Sequence, residues 1–411
     1  MSSAATLPPR YTPSARTLQR AHEAARLFVE ERLTVSEVAL AMDISVSMAS
    51  RLLKIARDEG LIQESVLHPD ELPIGRKVDS DAVRQVEDGL ARHLHLRRVI
   101  ALPVPEIFAS ANSFDTRRDD SLSRWLGNEG GRYLAPLVRG GDSIGIGYGR
   151  SVRAFVDGFR RENVGPRDLT LVSLAAGISV YPYSHGDPFD VSADGLALVL
   201  GHTLGAAARV VVVGRRGYSS QPKQWKWVQK PSIAVVGLGV VESGIFNCFE
   251  QRRYEMDDDG LALAEGAVAK AEAIRNRVTT QRIRPWGAEY YPLADFLGRP
   301  FVVEPPDDVR SALPPGELAE LESVSGDLAQ RIYAAPAEDL AEIEQTVLIA
   351  GGRRKAFAIW DFLTRFLSTL EHPRRHSLIT DYWTATDVLR IARGARRLGP
   401  TARLVRAAVS A

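Results

Sequence analysis

Residues 34–60 read Thr34-Val35-Ser36-Glu37-Val38-Ala39-Leu40-Ala41-Met42-Asp43-Ile44-Ser45-Val46-Ser47-Met48-Ala49-Ser50-Arg51-Leu52-Leu53-Lys54-Ile55-Ala56-Arg57-Asp58-Glu59-Gly60. Thr34 to Glu37 forms a capping box, in which the Thr hydroxyl accepts from the backbone N–H three residues on while the Glu37 carboxylate reaches back to the N–H of the cap. A helix therefore starts at Val35. It buries Val38, Ala39 and Met42 and stops at Asp43, a residue that tolerates the bent backbone of a tight turn. Ser45 caps a further helix, expected to run to about Glu59, with Ala49, Leu52, Leu53 and Ala56 as its inward stripe. Ser47, Ser50, Arg51, Lys54 and Arg57 fall largely outside that stripe, and Gly60 supplies the stop. Working outward, Ala21, Ala24, Ala25, Leu27 and Phe28 make one more stripe at helical spacing, from Leu18 to near Glu30.

Two short helices joined by a tight turn, the second bearing hydroxyl and basic side chains, meet the needs of a major-groove reader. Ser45, Val46, Ser47 and Ser50 are placed for base edges, and Arg51 and Lys54 for phosphates. A plain helical hairpin with a solvated charged face is the alternative. The run Leu33 to Ala39, followed by Ile44-Ser45 and by Ala49 to Ile62, resembles the helix-turn-helix of SorC-type sugar-responsive regulators. That resemblance implies double-stranded operator DNA as a partner. Val46 and Met48 depart from it, standing where the family usually carries polar residues, so the base preference does not carry over.

The 411 residues suit two domains. A formal net charge of +1 excludes a globally basic nucleic-acid binder, though not a small DNA-reading module diluted by a large neutral partner domain. The single cysteine, Cys248, excludes an intrachain disulfide and a cysteine zinc cluster, and its apolar neighbours predict a buried thiol. Met1 to Arg20 has no signal-peptide core and no membrane-length apolar run occurs, so a cytoplasmic protein is expected. His372 and His376 are separated by Pro373, Arg374 and Arg375, which would repel a cation. No metal site is expected, and the histidines are read as surface residues.

The expected organisation is a flexible tail over residues 1–16, a winged-helix-like helix-turn-helix domain over 17–66, a linker over 67–76, and an α/β effector and oligomerisation domain over 77–411. In the last, helical stretches such as Asp81 to His95 alternate with short β-branched runs. The runs are Arg98–Val104, Ser143–Gly147, Leu169–Leu174, Arg209–Val213, Ile233–Gly237 and Thr346–Ala350. Such alternation predicts a Rossmann-like, mostly parallel sheet covered by helices. Ligands bind such sheets beyond the carboxyl ends of the strands. There the loop Gly147-Tyr148-Gly149-Arg150-Ser151 lets backbone approach an anion, offers helix N–H groups, and adds a guanidinium and a hydroxyl. A tight strand-to-helix turn without a ligand is the other reading.

Gly131 to Leu134, Gly140 to Gly145 and Gly149-Arg150-Ser151 resemble the SorC effector domain, with Ser151 in place of the family's Thr. The resemblance implies an effector domain like the sugar-phosphate isomerases and deaminases, a sugar or phosphosugar as ligand, and a homodimer or homotetramer. Ile349 to Ala356, with Gly351-Gly352 ahead of Lys355, and the later Thr380-Asp381 resemble the family's closing pattern. Lys355 is a candidate ligand for a phosphate or hydroxyl, a solvated face being its other reading, and Asp381 a helix cap. Gly237 to Gly244 resembles the family's middle glycine loop, which makes Gly239 and Ser243 candidates. Glu242 stands at the third glycine of a dinucleotide fingerprint, where its carboxylate would oppose a pyrophosphate, so no cofactor is expected.

Residues of about 250–345 are a stretch longer than the family usually carries: a lid, an oligomer contact or a surface decoration. Gly214 to Lys230 interleaves basic and aromatic residues, as single-strand nucleic-acid surfaces do; an effector-site wall, an oligomer contact and a solvated loop are the other readings. The sequence thus predicts a non-enzymatic, ligand-controlled DNA-binding regulator. The competing classes are an isomerase- or deaminase-like enzyme with a DNA-binding head and an architectural DNA binder with a silent α/β domain. For catalysis only Glu242 and Asp381 stand out, as isolated carboxylates.

Overall fold

The computed structural model describes residues 15–29, 35–58, 78–110, 116–162, 168–176, 192–205, 208–213, 218–222, 224–240, 256–367 and 375–397. The chain divides into two compact units, Met1–Leu67 and His68–Ala411. Thr34, Gly60, the expected linker, Glu242, Ser243 and Cys248 lie outside the described residues.

The first unit contains helices α1 (Ala15–Val29), α2 (Val35–Ala41) and α3 (Val46–Asp58). Ala21, Ala24, Ala25 and Leu27 of α1, Val38 and Ala39 of α2, and Ala49, Leu52, Leu53 and Ala56 of α3 close one small core. The stripes read from the sequence are the buried faces. Asp43 has φ 52°, the left-handed turn geometry expected of it.

The second unit is built on seven parallel strands: β1 (Arg98–Leu102), β2 (Ser143–Ile146), β3 (Leu169–Ser173), β4 (Ala208–Val211), β5 (Ile233–Gly237), β9 (Gln345–Ile349) and β10 (Ser377–Asp381). Their spatial order is β1-β10-β9-β5-β2-β3-β4, and every pair is parallel. Alternate residues serve opposite cores. Ile233, Val235, Val347 and Ile349 pack with Leu126, Phe155, Phe159 and Leu196. Ala234, Val236 and Leu348 pack with Ala271, Ile274, Phe357 and Leu389. Burial on both faces makes these strands short apolar runs rather than alternating ones.

Helices α4 (Ser80–His93), α5 (Glu106–Ala109), α6 (Thr116–Leu134), α7 (Arg150–Arg161) and α8 (Ala193–Leu204) precede the stretch from residue 250 onward. Among the described residues that stretch supplies α9 (Asp258–Thr280), strands β7 (Leu293–Phe296) and β8 (Arg299–Val302), α10 (Asp307–Ala312), α11 (Glu317–Arg331) and α12 (Ala337–Leu340). β6 (Gly239–Val240), β7 and β8 form a small antiparallel sheet. α13 (Ala356–Phe362) and α14 (Tyr382–Arg397) close the described chain.

Two open alternatives are narrowed and one expectation is corrected. The long stretch is not a surface decoration, because Ala267, Ala271, Ile274, Leu293 and Phe296 lie in the same core as the sheet residues Val236 and Leu348. The aromatics of the basic-aromatic stretch are not stacking platforms: Trp225 is buried against Tyr333, and Trp227 Nε1 donates to Asp339 at 2.9 Å. His376 is buried rather than at the surface, and its Nδ1 accepts from the Thr346 N–H at 3.3 Å. Burial, reinforced by Arg375, pulls its pKa down to about 4.

Candidate functional site

In the first unit, Ser45 sits ahead of α3 and its Oγ accepts from the Met48 N–H at 3.2 Å, the cap read from the sequence. Ser45 Oγ and Ser47 Oγ lie 3.0 Å apart and share a hydrogen bond. Ser45, Val46, Ser47, Ser50, Arg51 and Lys54 are all exposed, while Ala49, Leu52, Leu53 and Ala56 hold the helix from behind. All six candidates therefore lie on accessible parts of one helix and its cap.

In the second unit the chain runs from β2 to β3 and β4 on one side, whereas β5 lies on the other side of β2 and leads toward β9 and β10. The strand order thus reverses between β2 and β5, and ligands bind such sheets beyond the carboxyl ends at that point, which makes it the candidate crevice. Gly147 follows β2 and packs on β5, where its N–H donates to Val235 O at 2.9 Å and a Cβ would stand 3.0 Å from the same oxygen. Gly149 takes φ 106° and leads into α7, and a Cβ there would meet nothing within 4 Å, so open space lies before the loop. Ser151 lies in the first turn of α7 and is partly accessible.

Arg150 is not poised for an anion in the way the sequence suggests. Its two terminal nitrogens bond Asp119 and Asp120, carboxylates of α6. α6 can lie this close because glycines line the contact: a Cβ on Gly127 would fall 2.3 Å from Ser151 O, and one on Gly131 would fall 2.2 Å from Phe159 N. Arg354, on the turn after β9, donates to the other Asp119 oxygen at 2.8 Å. Burial works against ionisation of Asp119, yet Lys355, Arg150 and Arg354 outweigh it and hold the carboxyl below its usual range.

Sequence reasoning missed Arg354. Its side chain is 6% exposed, and its Nε and Nη1 have no hydrogen-bond partner among the described residues. Buried guanidinium N–H groups without acceptors are costly, so this edge is suited to an oxygen-rich ligand. Lys355 is buried too, and no solvated face holds it. Burial draws its pKa down to about 8 against the pull of Asp119, with Arg354 and Arg150 lowering it further and Asp295 raising it. Asp295, also unforeseen, comes from β7 in the long stretch and accepts from Tyr148 Oη at 2.7 Å. Gly239 is its register partner, a strand residue rather than a loop turn.

Asp381 is fully buried and capping. Its carboxylate accepts from Gly352 N–H at 2.8 Å, Thr384 N–H at 2.9 Å and Thr384 Oγ1 at 2.7 Å. Among the described residues no group of three or more His, Cys, Asp or Glu side chains could hold a metal ion, and no helix is long and apolar enough to cross a membrane.

No protein-family model matches the chain. A deoxyribonucleoside regulator from Bacillus subtilis (strain 168) is 26% identical over 157 residues, which is 38% of this chain and 43% of the relative. The chain thus matches less than half the length of that curated relative. Among solved structures, the full-length sorbitol operon regulator SorC from Klebsiella pneumoniae aligns over 91% of this chain and all of its own, at 16% identity and a TM-score of 0.43. A domain of a transcriptional repressor from Vibrio fischeri aligns over 75% of this chain and 99% of its own, at 18% identity and a TM-score of 0.49. The chain is similar in part of its sequence to a bacterial deoxyribonucleoside regulator, and its structural neighbours include regulators of the SorC type.

Proposed function

We propose that this chain is a transcriptional regulator that binds double-stranded operator DNA and is controlled by a sugar, polyol or phosphosugar bound in the α/β unit. The observation that carries the reading is the division of α3 into a buried stripe and an outward set of Ser47, Ser50, Arg51 and Lys54. A major-groove reader needs that arrangement directly after a tight turn. The crevice supports the second half, because the unpartnered edge of Arg354 and the buried Lys355 call for ligand oxygens. Gly147, Gly149 and Ser151 lie on the loop and helix start that carry Arg150, which shares Asp119 with Arg354. Gly239 belongs to β6, the strand paired with the β7 that carries Asp295.

The reading includes a homodimer or homotetramer joined through the α/β unit, so that paired heads meet paired half-sites. It also places the protein in the cytoplasm, with no metal or cofactor. An isomerase- or deaminase-like activity is less well supported: Asp381 is committed to three internal hydrogen bonds, and Asp119 is held between guanidiniums. Thermal unfolding against a panel of sugars, polyols and their phosphates tests the effector half, since a ligand bound only by the folded state raises the midpoint. A rise with one compound, lost in Arg354→Leu, is expected. No rise with any of them would overturn the proposed ligand class, and turnover of one would restore the enzyme reading.

A further inference from the structure

We infer that Val46 and Met48 read thymine, packing on the 5-methyl groups that T·A pairs present in the major groove. The inference rests on the DNA-binding reading above and names what α3 prefers to find there. In the first unit the apolar residues Val38, Ala39, Leu52 and Leu53 are buried, but Val46 is 50% and Met48 40% exposed. Both lie in the first turn of α3, the part of a reader helix that meets base edges. With about 100° of rotation per residue they flank Ser47, and Arg51 follows one turn later near the same face.

The hydroxyls of that turn are tied to each other: Ser45 Oγ caps the helix through the Met48 N–H and shares a hydrogen bond with Ser47 Oγ, so one O–H donor is left between them for a base edge. Beside that donor the turn offers apolar surface. Among base edges in the major groove only thymine answers apolar surface with a methyl group; elsewhere an apolar side chain would cover donors and acceptors without pairing them. The exposed cations Arg51 and Lys54 on the same helix favour a polyanion over an apolar protein surface as the occupant.

The test uses the full chain and a duplex selected from a randomised pool at fixed salt. Each thymine of the selected site is then replaced in turn by deoxyuridine, which keeps base pairing and removes only the methyl group. Replacement at one or two positions in each half-site is expected to weaken binding about three- to five-fold, the value of one methyl-sized apolar contact. Val46→Ala or Met48→Ala, on exposed sites that leave the core untouched, should shrink that penalty at its own position. Tight binding that ignores every deoxyuridine would overturn the inference and leave the DNA-binding reading standing. Failure to select any duplex would overturn both.

Discussion

The two units hold their cations in opposite ways. On α3, Arg51 and Lys54 stand in solvent, whereas in the crevice Arg150 lies against two carboxylates and Arg354 and Lys355 are buried. Exposed cations attract any polyanion by releasing its counterions, so selectivity must come from neighbouring residues. Buried cations carry a desolvation cost that Asp119 offsets in part and that a ligand with matched acceptors would offset further. One helix is therefore suited to a long charged surface, and the other site to a small oxygen-rich molecule.

The packing that pins Arg150 gives the largest expected effect. Gly131→Leu would drive a side chain into the Phe159 backbone, and it should cost at least about 4 kcal/mol in denaturant unfolding, as severe overpacking does. Near-wild-type stability would mean that α6 and α7 do not set the carboxylates by close approach. Next, Lys355→Met should erase the effector-induced rise in melting temperature while holding or raising the melting temperature of the ligand-free protein, because a buried ammonium is removed. A retained rise would place the ligand elsewhere. On the exposed side, Arg51→Ala should weaken DNA binding about tenfold and lower the salt slope by about one. An unchanged slope would remove Arg51 from the phosphates.

The smallest effect is a pair of opposed pH trends. The pKa of Lys355 is lowered from 10.5 to about 8, so between those values the unfolded chain binds more protons and stability rises with pH. Over the same rise the crevice loses its ammonium, and affinity for an anionic effector should fall. Titration calorimetry at several pH values, beside unfolding curves, checks both, and parallel trends would break the assignment of Lys355.

How much of this was legible follows from where each signal resides. Six of the seven parallel strands announce themselves as β-branched runs. The seventh, Ser377-Leu378-Ile379-Thr380-Asp381, does not, because its polar ends are buried and it reads as the approach to the helix that Asp381 caps. The hairpin of β7 and β8 was hidden by its turn. Leu297 and Gly298 take φ 50° and 76°, the geometry usually signalled by Asn-Gly, and β8 begins Arg299-Pro300. At the site, the Gly149-Arg150-Ser151 loop shows in the sequence because a strand-to-helix turn is local. Its pairing with Asp119 and Asp120 and the arrival of Asp295 depend on residues brought together from distant segments, for which no spacing rule exists.

The affinity of the full chain for its selected duplex, measured with and without the compound that raises its melting temperature, should change about 5- to 150-fold, the usual range of coupling between two sites, and the change should disappear in Arg354→Leu. An affinity for DNA that is the same with the crevice filled or empty would contradict ligand control of DNA binding.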